Sequence, residues 1–245
     1  MDTVGLGTGG RPVERRVDTA RSRSTADEFA RLAVELHAAG GVESTVEAVV
    51  EFALHAVGCD YAGILLVATT GVVEIGAVTD PMVETIYRSQ LDAGEGPALA
   101  ALEERAILVI QDASVDDRWP RWRSVVGALG IGGLMHVPMR AGQRVIGVLS
   151  LYKRRTECFD ADDEAIAQIL ARHASVAVAT ARHEETWARA VDARKLVGQA
   201  MGILMERFDL DSDQAFGVLR RYSQHTNTKL RDVAQQLIET RKLPH

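Results

Sequence analysis

The 245-residue chain predicts two folds in tandem: an α+β domain, an antiparallel sheet flanked by helices, joined by a long helix to an all-α three-helix domain. Three observations carry that expectation. Between residues 61 and 152, short apolar runs alternate with Gly-containing turns, which is the pattern of strands joined by hairpins. From Asp162 to Gly198 neither Pro nor Gly interrupts the chain, which suits one continuous helix or two joined end to end. After residue 187 three apolar stripes recur at spacings of three and four, and none of them could bury itself alone. The length suits two modest domains. The predicted division is a flexible tail over 1–25, an α+β domain over 26–182 and a three-helix domain over 183–245.

In the tail, Gly, Arg, Ser and Thr dominate and large apolar groups are few, so no core is expected there. The cluster of Gly5, Gly7, Gly9 and Gly10 follows no strand and precedes no Gly-Lys-Ser/Thr, so it is not read as a phosphate loop. Phe29, Leu32, Ala33 and Leu36 predict a helix closed at Gly40-Gly41. Val46, Val49, Val50, Ala53, Leu54 and Val57 predict a second, closed at Gly58. Tyr61–Ala68 and Val72–Val78 flank Thr69-Thr70-Gly71 as a hairpin. Ala106–Ile110 is a further short strand, and Leu134–Met139 pairs with Arg144–Tyr152 across Ala141-Gly142-Gln143. Residues 81–105 include a short helix and the turn Gly94-Glu95-Gly96-Pro97, and Asp112–Gly130 predicts a polar, Trp-containing loop with a helical turn. Asp160 is placed to cap the closing helix.

In the three-helix segment, Leu196, Val197, Ala200, Ile203, Leu204 and Phe208 share one helical face. Asp209–Asp213 breaks that helix, and Asp211 followed three residues later by Gln214 has the form of a capping box. The second helix presents Ala215, Phe216, Val218, Leu219 and Tyr222. Thr226-Asn227-Thr228 punctuates, the third carries Leu230, Val233, Ala234, Leu237 and Ile238, and Pro244 marks the exit.

Composition excludes several classes. Cys59 and Cys158 lie far apart without Cys-x-x-Cys or Cys/His spacing, so neither a disulfide framework nor a zinc site is expected. No apolar run approaches the ~20 residues needed to span a bilayer, and no signal pattern opens the chain, so a reduced, cytoplasmic protein is expected. No serine-hydrolase, zinc-protease, Walker or kinase motif occurs, so no catalytic residue, metal or cofactor is assigned. His136 between Met135 and Val137 is a lone strand histidine, read as a packed residue in preference to a haem or metal ligand. Cys59 beside Asp60 predicts an inert thiol, because a neighbouring carboxylate disfavours the thiolate. Net charge is −6, distributed as +2 over 1–25, −11 over 26–186 and +3 over 187–245. Only the last segment combines a folded domain with a surplus of cations that could accept phosphates.

Within that segment, Arg194, Gly198-Gln199-Ala200, Gly202-Ile203-Leu204-Met205-Glu206-Arg207, Ala215-Phe216, Leu219-Arg220, Ser223-Gln224, Asn227, Lys229-Leu230 and Val233-Ala234 together resemble the ANTAR domain over about fifty residues. Met201 departs from the family, which usually has Lys there. The resemblance implies a three-helix RNA-binding domain of an antitermination regulator, acting on paired stem-loops in leader RNA and commonly as a dimer. The RNA-facing candidates are Arg194, Gln199, Arg220, Ser223, Gln224, Asn227, Lys229 and Arg231, since cations fix phosphates while amides and hydroxyls address splayed bases.

The order helix, helix, hairpin, crossing segment, strand, hairpin, closing helix resembles the GAF domain, with Lys153, Phe159, Asp163 and Glu164 matching four positions of its N-K…F-x3-D-E motif and Tyr152 replacing the Asn. The resemblance implies that Lys153 and Asp163 form a structural ion pair. It also implies a small-molecule pocket roofed by residues 81–126, with Tyr87, Arg88, Asp112, Trp119, Trp122 and Arg123 as candidates to stack on and pair with a planar anion or, equally, to pack as a loop anchor. A homodimer is expected through the connecting helix, along Ile166, Leu170, His173, Ala177, Thr180, Glu184, Trp187, Val191, Arg194, Gly198, Met201 and Met205, with Ala174, Ala177, Ala179 and Ala181 allowing close approach. The whole reads as a signal-responsive antitermination regulator whose partner is RNA. The rival readings are a DNA-binding helix-turn-helix regulator, a protein-interaction switch and an enzyme acting in the GAF pocket.

Overall fold

Five antiparallel strands organise the first unit, in the order β2-β1-β5-β4-β3. The computed structural model describes Leu32, Val34, Leu36 and residues 40–242. The tail with its glycine cluster, Phe29, Ala33 and Pro244 lie outside the described residues. Leu32, Val34 and Leu36 are helical. Next come α1 (Val42–Ala56), β1 (Tyr61–Val67), β2 (Val73–Val78), α2 (Pro81–Ala93), α3 (Pro97–Glu104), β3 (Leu108–Ile110), α4 (Pro120–Ala128), β4 (Gly133–Ala141) and β5 (Arg144–Lys153). The chain continues through α5 (Ala161–Phe208), α6 (Ser212–His225) and α7 (Leu230–Thr240).

Strand side chains alternate between two buried layers, because successive residues point to opposite faces of a sheet. Ile64, Met135, Val137, Leu149 and Leu151 face a core completed by Val46, Val49, Val50 and Ala53 of α1 and by Ala167, Leu170, Ala171, Ala174 and Val178 of α5. Leu65, Leu134, Val148 and Tyr152 face the other core, completed by Val83, Ile86 and Tyr87 of α2, Ala98 and Ala101 of α3, and Trp122 and Val126 of α4. A sheet covered on both faces explains why β4 and β5 read as apolar runs and not as alternating ones.

Most elements begin and end where the sequence places them. Asp80 caps α2, its carboxylate accepting from the Met82 N–H at 2.8 Å, and Gly94 closes that helix in the left-handed conformation. Asp160 accepts from the Asp163 N–H at 2.8 Å at the start of α5. The expected polar loop after Asp112 contains a full helix, α4, because Pro120 starts it and Trp122 and Val126 anchor one face in the core.

The second unit runs from Arg182 to the end of the chain, so the division falls inside the 48-residue α5. Ala200 and Leu204 of α5, Ala215 and Leu219 of α6, and Val233, Ala234 and Leu237 of α7 form its buried core. The capping box is present in full: the Asp211 carboxylate accepts from the Gln214 N–H at 2.8 Å, and the Gln214 amide oxygen accepts from the Asp211 N–H at 3.0 Å. Phe208 and Phe216, placed on the apolar faces by spacing, are instead 55% and 39% exposed. They sit at the rims of stripes whose centres are filled by Leu204 and Leu219.

Candidate functional site

The interior of the first unit holds an uncharged polar cluster. Gly63 of β1, Ser150 of β5 and His136 of β4 lie side by side across the sheet. Gly63 supplies the space: a Cβ there would lie 2.7 Å from Val83 Cγ1 and 2.8 Å from Tyr87 Cε2, so only glycine lets Tyr87 settle against the strand. His136 Nδ1 lies 2.7 Å from Ser150 Oγ, and its ring meets Tyr152 edge-on at 5.9 Å. The Tyr87 OH, Trp122 Nε1, His136 Nε2 and Tyr152 OH atoms are buried without a hydrogen-bond partner. Such orphans are rare in native interiors and each costs free energy. Burial drives the His136 pKa down to about 3 and pushes both phenols up, Tyr87 well above its ordinary value, so the cluster is neutral near pH 7. Its polar groups are two phenol hydroxyls, an indole N–H and an imidazole nitrogen whose role depends on the tautomer.

Of the six pocket candidates, only Tyr87 and Trp122 reach this interior. Arg88 is exposed and bonded to Glu84 through Nε at 2.9 Å and Nη2 at 2.5 Å. Arg123 pairs with Asp117. Asp112 accepts from the Ser114 hydroxyl at 2.6 Å and the Ser114 N–H at 2.9 Å, which together lower its pKa. Trp119 is half-buried, edge-on to Trp122 at 6.2 Å, with the Arg118 guanidinium 4.5 Å over its ring. The charges expected in the pocket are thus spent at the surface, where water solvates them at little cost. His136, Ser150 and Tyr152 enter in their place. Their shared strand parity was the available signal, legible only once the β4–β5 register is known.

Lys153 Nζ lies 2.8 Å from Asp163 Oδ2 and donates to the Cys158 carbonyl at 2.9 Å, over the Phe159 ring at 4.6 Å. It ties the end of β5 to the first turn of α5. Cys59 donates weakly to the Ala53 carbonyl at 3.6 Å, and its thiol is pushed up to about 12, by burial first and by Asp60 only as a lesser cause. Among the described residues no group of three His, Cys, Asp or Glu could hold a metal ion, and no helix is long and apolar enough to cross a membrane.

In the second unit, Arg220, Gln224, Asn227, Lys229 and Arg231 are exposed around the turn from α6 to α7, and Arg194 and Gln199 are exposed on α5. Asn227 adopts the left-handed conformation that lets the chain reverse. Ser223 is half-buried and donates to the Thr228 carbonyl at 2.7 Å, clasping the turn. Arg231 Nε sits 3.3 Å from Asp232 Oδ1. Arg220 and Lys229 enter no ion pair among the described residues, and neither does Arg221, an exposed cation beside Arg220 that sequence reading passed over. Met201 is half-buried against the three-helix core, so it belongs to packing and not to the polar turn.

Comparison with known proteins identifies both units. The GAF domain family model matches residues 39–179, more than half of the chain, and the ANTAR domain model matches residues 185–238. The chain belongs to the GAF family, with an ANTAR domain following it. GAF domains are sensory, and ANTAR is an RNA-binding domain of antitermination regulators. Among solved structures, the GAF domain of an Acinetobacter phosphoenolpyruvate-protein phosphotransferase aligns at TM-score 0.54 and 18% identity over 65% of this chain and 95% of that one. Its Coxiella burnetii counterpart aligns at 0.53 and 18% over 66% and 96%. Free methionine-R-sulfoxide reductase from Neisseria meningitidis aligns at 0.53 and 14% over 75% and 99%. At these identities the likeness establishes the GAF fold alone. No curated protein matches the chain.

Proposed function

We propose that this protein is a cytoplasmic antitermination regulator in which the GAF domain senses a small molecule and the ANTAR domain binds stem-loops in nascent leader RNA. Binding stabilises an antiterminator stem-loop at the expense of the terminator hairpin. The observation that carries the RNA reading is the ANTAR turn itself: Arg220 and Lys229, exposed and without ion pairs among the described residues, bracket Gln224 and Asn227, so phosphate anchors flank base-reading amides. Arg194, Gln199 and Arg231 extend the polar surface, and Ser223 holds the turn in shape. For the GAF domain, the orphaned polar atoms of Tyr87, Trp122, His136 and Tyr152 favour a neutral, hydrogen-bonding ligand over the planar anion that Arg88, Asp112 and Arg123 would have served.

The test of the RNA reading is a salt titration of binding to an RNA with two tandem stem-loops, against duplex DNA of equal charge. Preference for the RNA that persists at ~0.2 M salt is expected, since purely electrostatic binding weakens steeply over that range. Arg220→Ala and Lys229→Ala should each weaken RNA binding and flatten its salt slope by about one unit. Equal, salt-sensitive binding to both nucleic acids would refute this function.

A further inference from the structure

A pocket of about 270 Å³ opens on the GAF unit, on the α1/α5 side of the sheet and away from the Tyr87 cluster. It lies at the edge where β3 begins. β3 pairs only with Leu134–His136, so from Val137 onward the outer edge of β4 has no strand beside it among the described residues. Val137 and Ile107 supply apolar wall, and three arginines from three different elements reach the pocket. Arg105 follows α3, Arg140 follows the irregularity in β4 after Met139, and Arg172 projects from α5 one turn beyond Gln168, whose amide also lines the space.

What sets this cluster apart is its convergence on one pocket with no facing acid among the described residues; the lack of an ion pair it shares with Arg220 and Arg221. Arg88, Arg118, Arg123 and Arg189 each have a carboxylate partner, whereas Arg105, Arg140 and Arg172 enter no ion pair among the described residues. Among the described residues no Asp or Glu lines the pocket, although the body of the chain over 26–186 carries a net −11. Arg105 also occupies a left-handed position, φ 55°, where glycine would cap α3 with less strain. Three guanidiniums lining one pocket with no facing carboxylate among the described residues make it cationic, which favours an anion.

We propose that this pocket binds a compact organic phosphate, with the guanidiniums of Arg105, Arg140 and Arg172 on the phosphoryl oxygens and the carbon portion against Ile107 and Val137. Guanidinium forks match phosphoryl geometry, and a volume just under the usual range for drug-sized ligands limits the guest to a few carbons beyond the phosphate. This site is independent of the neutral cluster and of RNA binding.

The experiment is calorimetric titration of the full chain with phenyl phosphate and inorganic phosphate, using sulfate and phenol as controls at matched ionic strength. Phenyl phosphate should bind best, inorganic phosphate more weakly and phenol not at all. Arg140→Ala and Arg172→Ala should each lower phenyl phosphate affinity by about tenfold or more, the scale of one charge-assisted hydrogen bond, with Arg172→Lys intermediate. The affected side chains are exposed, so the variants should keep the parental circular dichroism. The proposal is overturned by affinity unchanged in both alanine variants, or by sulfate binding as well as phenyl phosphate, which would mark an adventitious ion only. Loss of RNA affinity in these variants without any phenyl phosphate binding overturns it too, in favour of a nucleic-acid contact.

Discussion

Tyr152, Tyr87 and His136 are the residues where the GAF interior departs from apolar packing, and their hydroxyls and imidazole make separable predictions. A buried hydroxyl with no partner costs free energy, so Tyr152→Phe should leave the ligand-free protein as stable as the parent or raise its stability by roughly 1 kcal/mol in urea unfolding. A loss of more than that would mean the hydroxyl is satisfied in the folded state. Gly63→Ala should destabilise by about 1–3 kcal/mol, because its methyl meets Val83 and Tyr87 at distances that no side-chain rotation of a packed tyrosine relieves. His136 makes stability depend on pH. Its folded pKa of about 3 lies below the ordinary 6.5, so the unfolded chain takes the proton first. The contribution is therefore fully present above pH 6.5 and is lost as pH falls from there towards 3, at about 1.4 kcal/mol per pH unit. Urea midpoints measured between pH 7 and pH 5 should show that slope in the parent and lose it in His136→Asn.

At the scale of elements, two local devices set where helices begin and how they are held. Asp211→Ala removes the first half of the capping box of α6 and should cost about 1 kcal/mol, seen as a lower unfolding midpoint of the second unit. Lys153 and Asp163 are only 14% and 15% exposed, so their ion pair is worth more than a surface pair and removal of one partner strands the other. Lys153→Ala should lower stability by roughly 2 kcal/mol or more, and restoring the cation as Arg should recover part of it. Equal stability of parent and Lys153→Ala would show that β5 and α5 are held by packing alone. Within α5, the spacing-derived dimer stripe needs correction. Leu170 and Ala174 are buried in the GAF core, Ala181 is buried and Ile166 partly so, because this half of the helix lies on the sheet. Ahead of Met205 and Phe208, the large apolar residues that α5 exposes are Ile169, Val176, Trp187 and Val191, whose intervals of 7, 11 and 4 residues are each close to whole helical turns.

For the whole molecule, a homodimer through the connecting helix is an expectation that exposed apolar residues of α5 make testable. Val176→Glu and Trp187→Glu should shift sedimentation from dimer to monomer at micromolar concentration. A parent that sediments as a monomer while still binding tandem stem-loops would remove dimerisation from the proposed function. The charge layout belongs to this scale as well. An acidic body over 26–186 repels nucleic acid, so the +3 of the ANTAR segment has to act through placement more than through net attraction.

By itself the sequence determined the features written in neighbouring residues: the five strand runs and their hairpins, the capping box at Asp211 and Gln214, a long helical connector left open as one helix or two, and the motifs that resemble GAF and ANTAR domains. These are legible because period, caps and turn residues are local. Only the tertiary structure decided what sits next to what. It brought His136 beside Ser150 through the β4–β5 register, sent Arg88 and Arg123 to surface carboxylates and away from the pocket, turned the loop around Trp122 into a helix, and gathered Arg105, Arg140 and Arg172 from three elements. Burial and pairing depend on groups distant in the chain, and a residue's own neighbours carry no record of them.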